Sequence, residues 1–221
     1  MTGRPIKVLF LSQRFLLPMD TGGKIRTGKI LERLSREHEI TLVSNCESPK
    51  DDPWLEAMSR LCTRFIPVPW TEVRKDSPLF FARLCVQMLS PYPVSVLIDS
   101  SADLRLAVEQ ELARESYDLA VCDFVQSARN FQNVRAVPTL LFQHNVEALI
   151  SRRHVQQNTN PVLKLFWWLQ WKKMHRFEHK ACRRFDTVIA VSDTDRRTFE
   201  DLYQADRVET IPTGVDLEYY A

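Results

Sequence analysis

A chain of 221 residues, 44% apolar and 26% charged, suits one large domain or two small ones with a sizeable buried core. Thirty Lys and Arg against 28 Asp and Glu leave a formal charge of +2, which excludes a nucleic-acid partner held by bulk charge. The longest apolar runs fall short of the roughly 18 residues of a membrane span, and no secretory leader pattern opens the chain, so neither insertion nor export is expected. Cys46, Cys62, Cys85, Cys122 and Cys182 are odd in number and form no C-x-x-C pair, so they read as mostly core-filling reduced thiols.

In chain order, Lys7 to Ser12 reads as a short buried strand. A loop through Pro18, Asp20 and Gly22-Gly23 then leads to a helical pattern on Ile25, Ile30, Leu31 and Leu34. Glu39 to Asn45 is a second strand. Asp51 to Cys62 is expected to be helical, capped by Asp51 or Asp52 with Pro53 in its first turn, before a third strand from Arg64 to Val68. Ser77 to Leu89 and Ala102 to Glu115 read as amphipathic helices; Tyr92 to Ile98, broken by Pro91 and Pro93, is irregular or a short helix. Leu119 to Phe124 and Pro138 to His144 are buried-type strands around a helical turn at Val125 to Phe131. A helix from Val146, a break at Asn158 to Pro161 and a long helix to about Arg184 follow. Strand Thr187 to Ser192, helix Asp193 to Tyr203 and strand Val208 to Pro212 complete the series. There is no internal repeat and no flexible linker. Strands alternating with helices predict an α/β fold, a doubly wound and mainly parallel sheet of about six or seven strands flanked by helices. Ligands in such sheets bind beyond the carboxyl ends of the strands, which directs attention to the loops after Ser12, Phe124, His144 and Ser192.

Three segments carry chemistry. Gly22 and Gly23 begin a helix in the first strand-to-helix loop, where free N–H groups and the helix dipole favour a phosphate; the other reading is a tight turn without a ligand. Gly23 to Lys29 also fits G-x-x-x-x-G-K, but Ile30 stands where a metal-binding hydroxyl belongs, and ten residues separate Ser12 from Gly23, so a P-loop is rejected. Phe142-Gln143-His144-Asn145-Val146-Glu147 is an apolar strand that ends in four polar or ionisable side chains. There His144 can donate a hydrogen bond or a proton near neutral pH, unless it only satisfies a backbone carbonyl while Asn145 caps the next helix.

The third segment is the helix from Lys164 to Arg184. Leu163, Phe166, Trp167, Trp171, Met174, Ala181 and Phe185 form its expected core stripe. Leu165, Trp168 and Leu169 lie off the stripe among seven basic residues, with Glu178 the only acid, so the segment carries +6. That composition suits either a solvated basic face or peripheral contact of residues 164–184 with an anionic membrane. His175 and His179 lack a third ligand nearby and make a weak metal site. No hydrolase motif is present.

The opening strand, the Pro18 and Gly22-Gly23 loop, the His144-Asn145 strand end, Val191-Ser192-Asp193 and the closing Ile211-Pro212-Thr213-Gly214-Val215-Asp216 together resemble the N-terminal half of a family-4 glycosyltransferase of the two-domain GT-B fold. A narrower likeness is to bacterial sugar transferases of exopolysaccharide clusters. The resemblance implies a Rossmann-like acceptor-binding domain over residues 1–212 and the start of an interdomain linker at 213–221, with Thr213 in place of the family's asparagine. It also implies a C-terminal donor domain that is missing from the chain.

The implied reaction is retaining transfer of a sugar from a nucleotide-diphosphate donor to a glycan or lipid-linked acceptor, without metal or other cofactor. By resemblance Gly22 and Gly23 face the diphosphate, His144 meets the transferred sugar, and Lys24 or Arg26 adds positive charge. Asn145, Glu147, Ser192 and Arg196 are further candidates at the strand ends. The expected place of action is the cytoplasm, with peripheral contact at the inner face of the membrane. The competing expectation is a non-catalytic Rossmann-like binding module.

Overall fold

The computed structural model describes residues 4–72 and 77–214; residues 215–221 of the expected linker lie outside the described residues. The strands are β1 (Lys7–Ser12), β2 (Glu39–Cys46), β3 (Arg64–Pro69), β4 (Leu119–Asp123), β5 (Thr139–Phe142), β6 (Thr187–Ala190) and β7 (Val208–Thr210). They form one seven-stranded sheet in the order β3-β2-β1-β4-β5-β6-β7, every neighbouring pair parallel. The helices are α1 (Gly22–Leu34), α2 (Pro78–Met88), α3 (Val94–Asp99), α4 (Ala102–Arg114), α5 (Glu147–Gln157), α6 (Pro161–Cys182) and α7 (Asp193–Asp201).

β1 shows why the sheet is covered on both sides. Its side chains alternate between faces, and both sets are apolar: Leu9 and Leu11 enter one buried cluster, Val8 and Phe10 the other. The chain winds outward from β1 to β3, then crosses to β4 and winds the other way. The crevice between the carboxyl ends of β1 and β4 is therefore the switch point of the topology.

Several local expectations change. The stretch from Asp51 to Cys62 is not one helix but two 3-10 segments, Asp52–Trp54 and Glu56–Arg60. The Asp51 carboxylate accepts from the Glu47 amide at 2.8 Å instead of capping a helix, so the segment opens on a tight turn. Tyr92 to Ile98, by contrast, follows one of its two expected readings, the short helix, in α3. β4 stops at Asp123 because Phe124 turns to a φ of 64°. Four cysteines are buried, and burial pushes the Cys62 thiol up to about 11, whereas Cys85 is exposed on α2.

α5 and α6 form an antiparallel hairpin. The Glu147 and Ala148 amides meet Glu178, Arg152 lies over Trp171, and His154 stacks on Trp167 at 4.2 Å. Glu178 thus sits level with the start of α5 at the strand ends. The 17 residues of α6 before it extend about 25 Å along the helix, past the edge of the sheet. This corrects the expected core stripe: Met174, Ala181 and Phe185 are buried, Trp167 and Trp171 only partly, and Leu163 is exposed because its turn has no sheet beneath it.

Candidate functional site

A cavity of about 880 Å³ opens at the switch point, beyond the carboxyl ends of the central strands. Gly22, Gly23, Lys24, Arg26, His144 and Asn145 line it, so the structure brings together residues from the first and fifth strand-to-helix loops. Glu147, Ser192 and Arg196 are not among the lining residues.

The start of α1 supplies free donors. Thr21 precedes the helix in extended conformation and makes no side-chain cap, and the first amide bonded back is that of Ile25, to the Thr21 carbonyl at 2.9 Å. Among the described residues nothing accepts from the amides of Gly22, Gly23 or Lys24, and the first turn carries no acid. The positive end of the helix dipole is therefore unoccupied by protein groups. The two glycines differ. A Cβ at Gly22 would meet nothing within 4 Å, whereas one at Gly23 would lie 2.8 Å from the Phe124 ring. Gly28 falls inside α1 and admits the Met19 side chain, which dissolves the G-x-x-x-x-G-K match as a phosphate loop.

Phe124 links that glycine to the histidine. Its ring stacks on His144 with centroids 3.8 Å apart and planes 8° apart, and Phe142 meets His144 at 4.5 Å with its plane tilted by 56°. The His144 Nε2 lies 2.7 Å from Oδ1 of Asp123, and the Thr27 hydroxyl donates to Oδ2 of the same carboxylate at 2.9 Å. Asp123 is fully buried and His144 nearly so. With Nε2 committed to the carboxylate and the ring stacked on Phe124 and packed against Phe142, Nδ1 is the polar atom His144 retains for another partner.

The remaining candidates are already engaged to different degrees. Lys24 pairs with Asp20 at 3.0 Å. The Arg26 guanidinium donates to the Ile211 carbonyl and the Thr213 hydroxyl, each at 2.8 Å, and lies over the Phe142 ring. Burial lowers its pKa, with Asp123 acting in the opposite sense. Arg26 thereby straps the segment after β7 across the cavity rim. Burial pushes the Glu147 carboxyl up, against hydrogen bonds from Gln126 and Asn145. The Ser192 hydroxyl caps α7 by accepting from the Asp195 amide at 3.1 Å, and Arg196 pairs with Glu200 at 2.8 Å.

Two contributors escaped the sequence. Asp123 ends an apolar strand next to the strand that leads to His144, a juxtaposition visible only once β4 and β5 are known to pair. Glu178 is fully buried and receives the Glu147 and Ala148 amides at 2.9 and 3.0 Å, the Tyr203 hydroxyl at 3.0 Å and the Gln143 amide at 3.2 Å. It anchors the first turn of α5, and with it the chain that carries His144. Its mark in the sequence is that it is the only acid among the basic residues of its helix.

Comparison with known proteins agrees with this fold. The chain resembles sucrose-phosphate synthase from Thermosynechococcus elongatus with a TM-score of 0.64 and 14% identity, over 96% of this chain and 49% of that one. It also resembles TcCGT1, solved in complex with UDP, with a TM-score of 0.55 and 13% identity over 95% and 51% of the two chains. The N-terminal domain of trehalose-6-phosphate phosphatase from Candida albicans matches at 0.51 and 14%, over 96% and 49%. The chain thus spans about half the length of the solved structures it resembles. No curated protein sequence matches it. The model for Glycosyltransferase Family 4 matches residues 22–219, and the chain belongs to that family.

Proposed function

We propose that the chain is the acceptor-side half of a retaining glycosyltransferase that moves a sugar from a nucleotide-diphosphate donor to a glycan or lipid-linked acceptor. The observation that carries this reading is the set of free amides at Gly22, Gly23 and Lys24, which open into the same cavity as the stacked His144 ring. A nucleoside diphosphate in one structural neighbour supports a diphosphate leaving group. In this reading the α1 amides receive phosphate oxygens, Lys24 and Arg26 add charge nearby, and His144 offers Nδ1 to the sugar. The bond from the anomeric carbon to the diphosphate breaks as the acceptor oxygen bonds to the same face of that carbon. The departing phosphate oxygen takes the acceptor's proton.

Across the cavity, the buried Asn45 donates from Nδ2 to the Gln13 carbonyl at 2.8 Å, while its Oδ1 has no donor among the described residues. That oxygen suits an acceptor hydroxyl. A second domain would close over the strand ends and hold most of the donor. Polysaccharide assembly at the cytoplasmic face of a membrane is the setting that the narrower likeness to exopolysaccharide-cluster transferases suggests. The test is amide and histidine NMR during titration with inorganic pyrophosphate, UDP-sugars and GDP-sugars. Shifts are expected at Gly22, Gly23, Lys24 and His144; a titration that moves none of them overturns the placement.

A further inference from the structure

Large apolar side chains left in solvent are unevenly distributed over this molecule. Of the 14 that are exposed among the described residues, eight lie on only two helices. Leu79, Phe81, Val86 and Leu89 belong to α2 and the residue after it; Val162, Leu163, Leu165 and Trp168 belong to the first turns of α6. α2 buries none of its residues. The two helices touch where the Lys173 amino group donates to the Met88 carbonyl at 2.7 Å and Gln170 approaches the Met88 sulfur at 3.1 Å.

The charge in these regions has one sign. Residues 77–98 and 148–177 contain seven Lys and Arg, while all 28 Asp and Glu lie elsewhere. Along α6 the exposed positions Leu165, Trp168, Lys172 and Arg176 follow i, i+3 and i+4 spacing on one face, apolar towards the hairpin tip and basic towards the sheet. Tryptophan and leucine followed by a basic belt match the acyl boundary and the headgroup layer of an anionic bilayer. A second copy of the chain would instead set like charges against each other.

From this we infer that the α5–α6 hairpin and α2 form a docking surface for an anionic lipid bilayer. The hairpin rises past the strand ends, so docking turns the cavity at the switch point towards the lipid surface. Leu79 and Phe80 of α2 also line a second cavity of about 770 Å³, which shares Arg14, Trp70 and Glu72 with the first. The inference rests on surface chemistry alone and stands whether or not the transfer reaction is as proposed above.

Vesicle co-sedimentation tests it, with phosphatidylglycerol-containing and pure phosphatidylcholine vesicles. Lys172→Glu with Arg176→Glu is the charge variant, because Lys173 is committed to Met88. Leu165→Ser with Trp168→Ser is the apolar variant. Arg207→Glu, exposed at the opposite end of the sheet, controls for net charge. Each basic side chain near such a surface is worth about fivefold in affinity, so the charge variant, which removes two, should lose about 25-fold or more. The apolar variant should lose about tenfold, the control should bind like the parent, and about 1 M salt should weaken binding by shrinking the Debye length to about 3 Å. Thermal unfolding confirms that each variant folds. No binding, equal binding to neutral vesicles, or variants that bind like the parent would overturn the docking surface. So would a dimer that the apolar variant dissolves while vesicle binding is absent.

Discussion

Gly22 and Gly23 are neighbours whose missing side chains serve different ends. At Gly23 the space is taken by Phe124, so Gly23→Ala must displace the ring that supports His144 and should cost about 1–3 kcal/mol in chemical denaturation. At Gly22 the space is open and φ is not positive, so Gly22→Ala should stabilise the fold by about 0.4–1 kcal/mol while weakening pyrophosphate binding. A Gly22→Ala protein that binds pyrophosphate like the parent would remove that amide from the site. Asp123 and His144 act as one unit in this geometry. His144→Ala empties a nearly buried slot and strips one donor from a buried carboxylate, so about 2–4 kcal/mol of stability should go with it. Asp123→Asn is the gentler probe, because the ring stays in place but the carboxylate's charge is gone and the single remaining acceptor oxygen cannot serve both His144 and the Thr27 hydroxyl. In a protein that carries both halves, transfer assays should show up to about 100-fold loss for either change, and the double variant should be no worse than His144→Ala alone. Additive losses would mean that Asp123 acts independently of the ring.

At the scale of elements, the sheet was readable from the sequence because each strand is a short apolar run between turn residues, and such runs have few other places to go. The expected start of the helix at Gly22-Gly23 agrees with the structure, since the paired glycines leave little else for that loop to do. The readings that failed depend on tertiary neighbours. Leu163 fits the apolar spacing of α6, but no spacing reveals that the helix outruns the sheet. Glu178 looks like one more surface charge until α5 is seen to start on it. Burial raises its carboxyl from an ordinary 4.5 to about 7, against the amides of Ala148 and Glu147 and the Tyr203 hydroxyl, which favour the carboxylate. Between those values the folded chain holds a proton that the unfolded chain has released. Stability should therefore fall as pH rises from about 4.5 to 7, by on the order of 3 kcal/mol, and level off above. Denaturation midpoints across that range, compared between the parent and Glu178→Gln, check this: the variant should be less stable at low pH but lack the slope. A slope unchanged in the variant would assign the proton to another group.

For the whole molecule, the electrostatics of the cavity bear on how much of a donor this chain can hold. Four basic side chains line it, and each has a partner within the protein: Arg14 with Asp99 at 3.1 Å, Lys24 with Asp20 at 3.0 Å, Lys50 with Glu47 at 3.5 Å, and Arg26 with the strap after β7. Five acidic side chains share the same lining: Asp20, Glu47, Asp51, Glu72 and Asp123. Among the described residues, a diphosphate entering this space finds no surplus of positive side-chain charge beyond the already partnered Lys24 and Arg26, and the free donors it meets are those of the first turn of α1. Such a terminus contributes about 0.3–1 kcal/mol when exposed and up to about 2 when partly buried, whereas even millimolar binding requires about 4 kcal/mol. The chain also spans about half of the structures it resembles, which leaves room for a second set of donor contacts. Calorimetry of the 221-residue chain with UDP-sugars and GDP-sugars should therefore give dissociation constants near or above about 1 mM, with the heat lost in Gly22→Ala. Micromolar binding by this chain alone would mean that the cavity holds a nucleotide by itself, and would overturn the division of donor and acceptor between two halves.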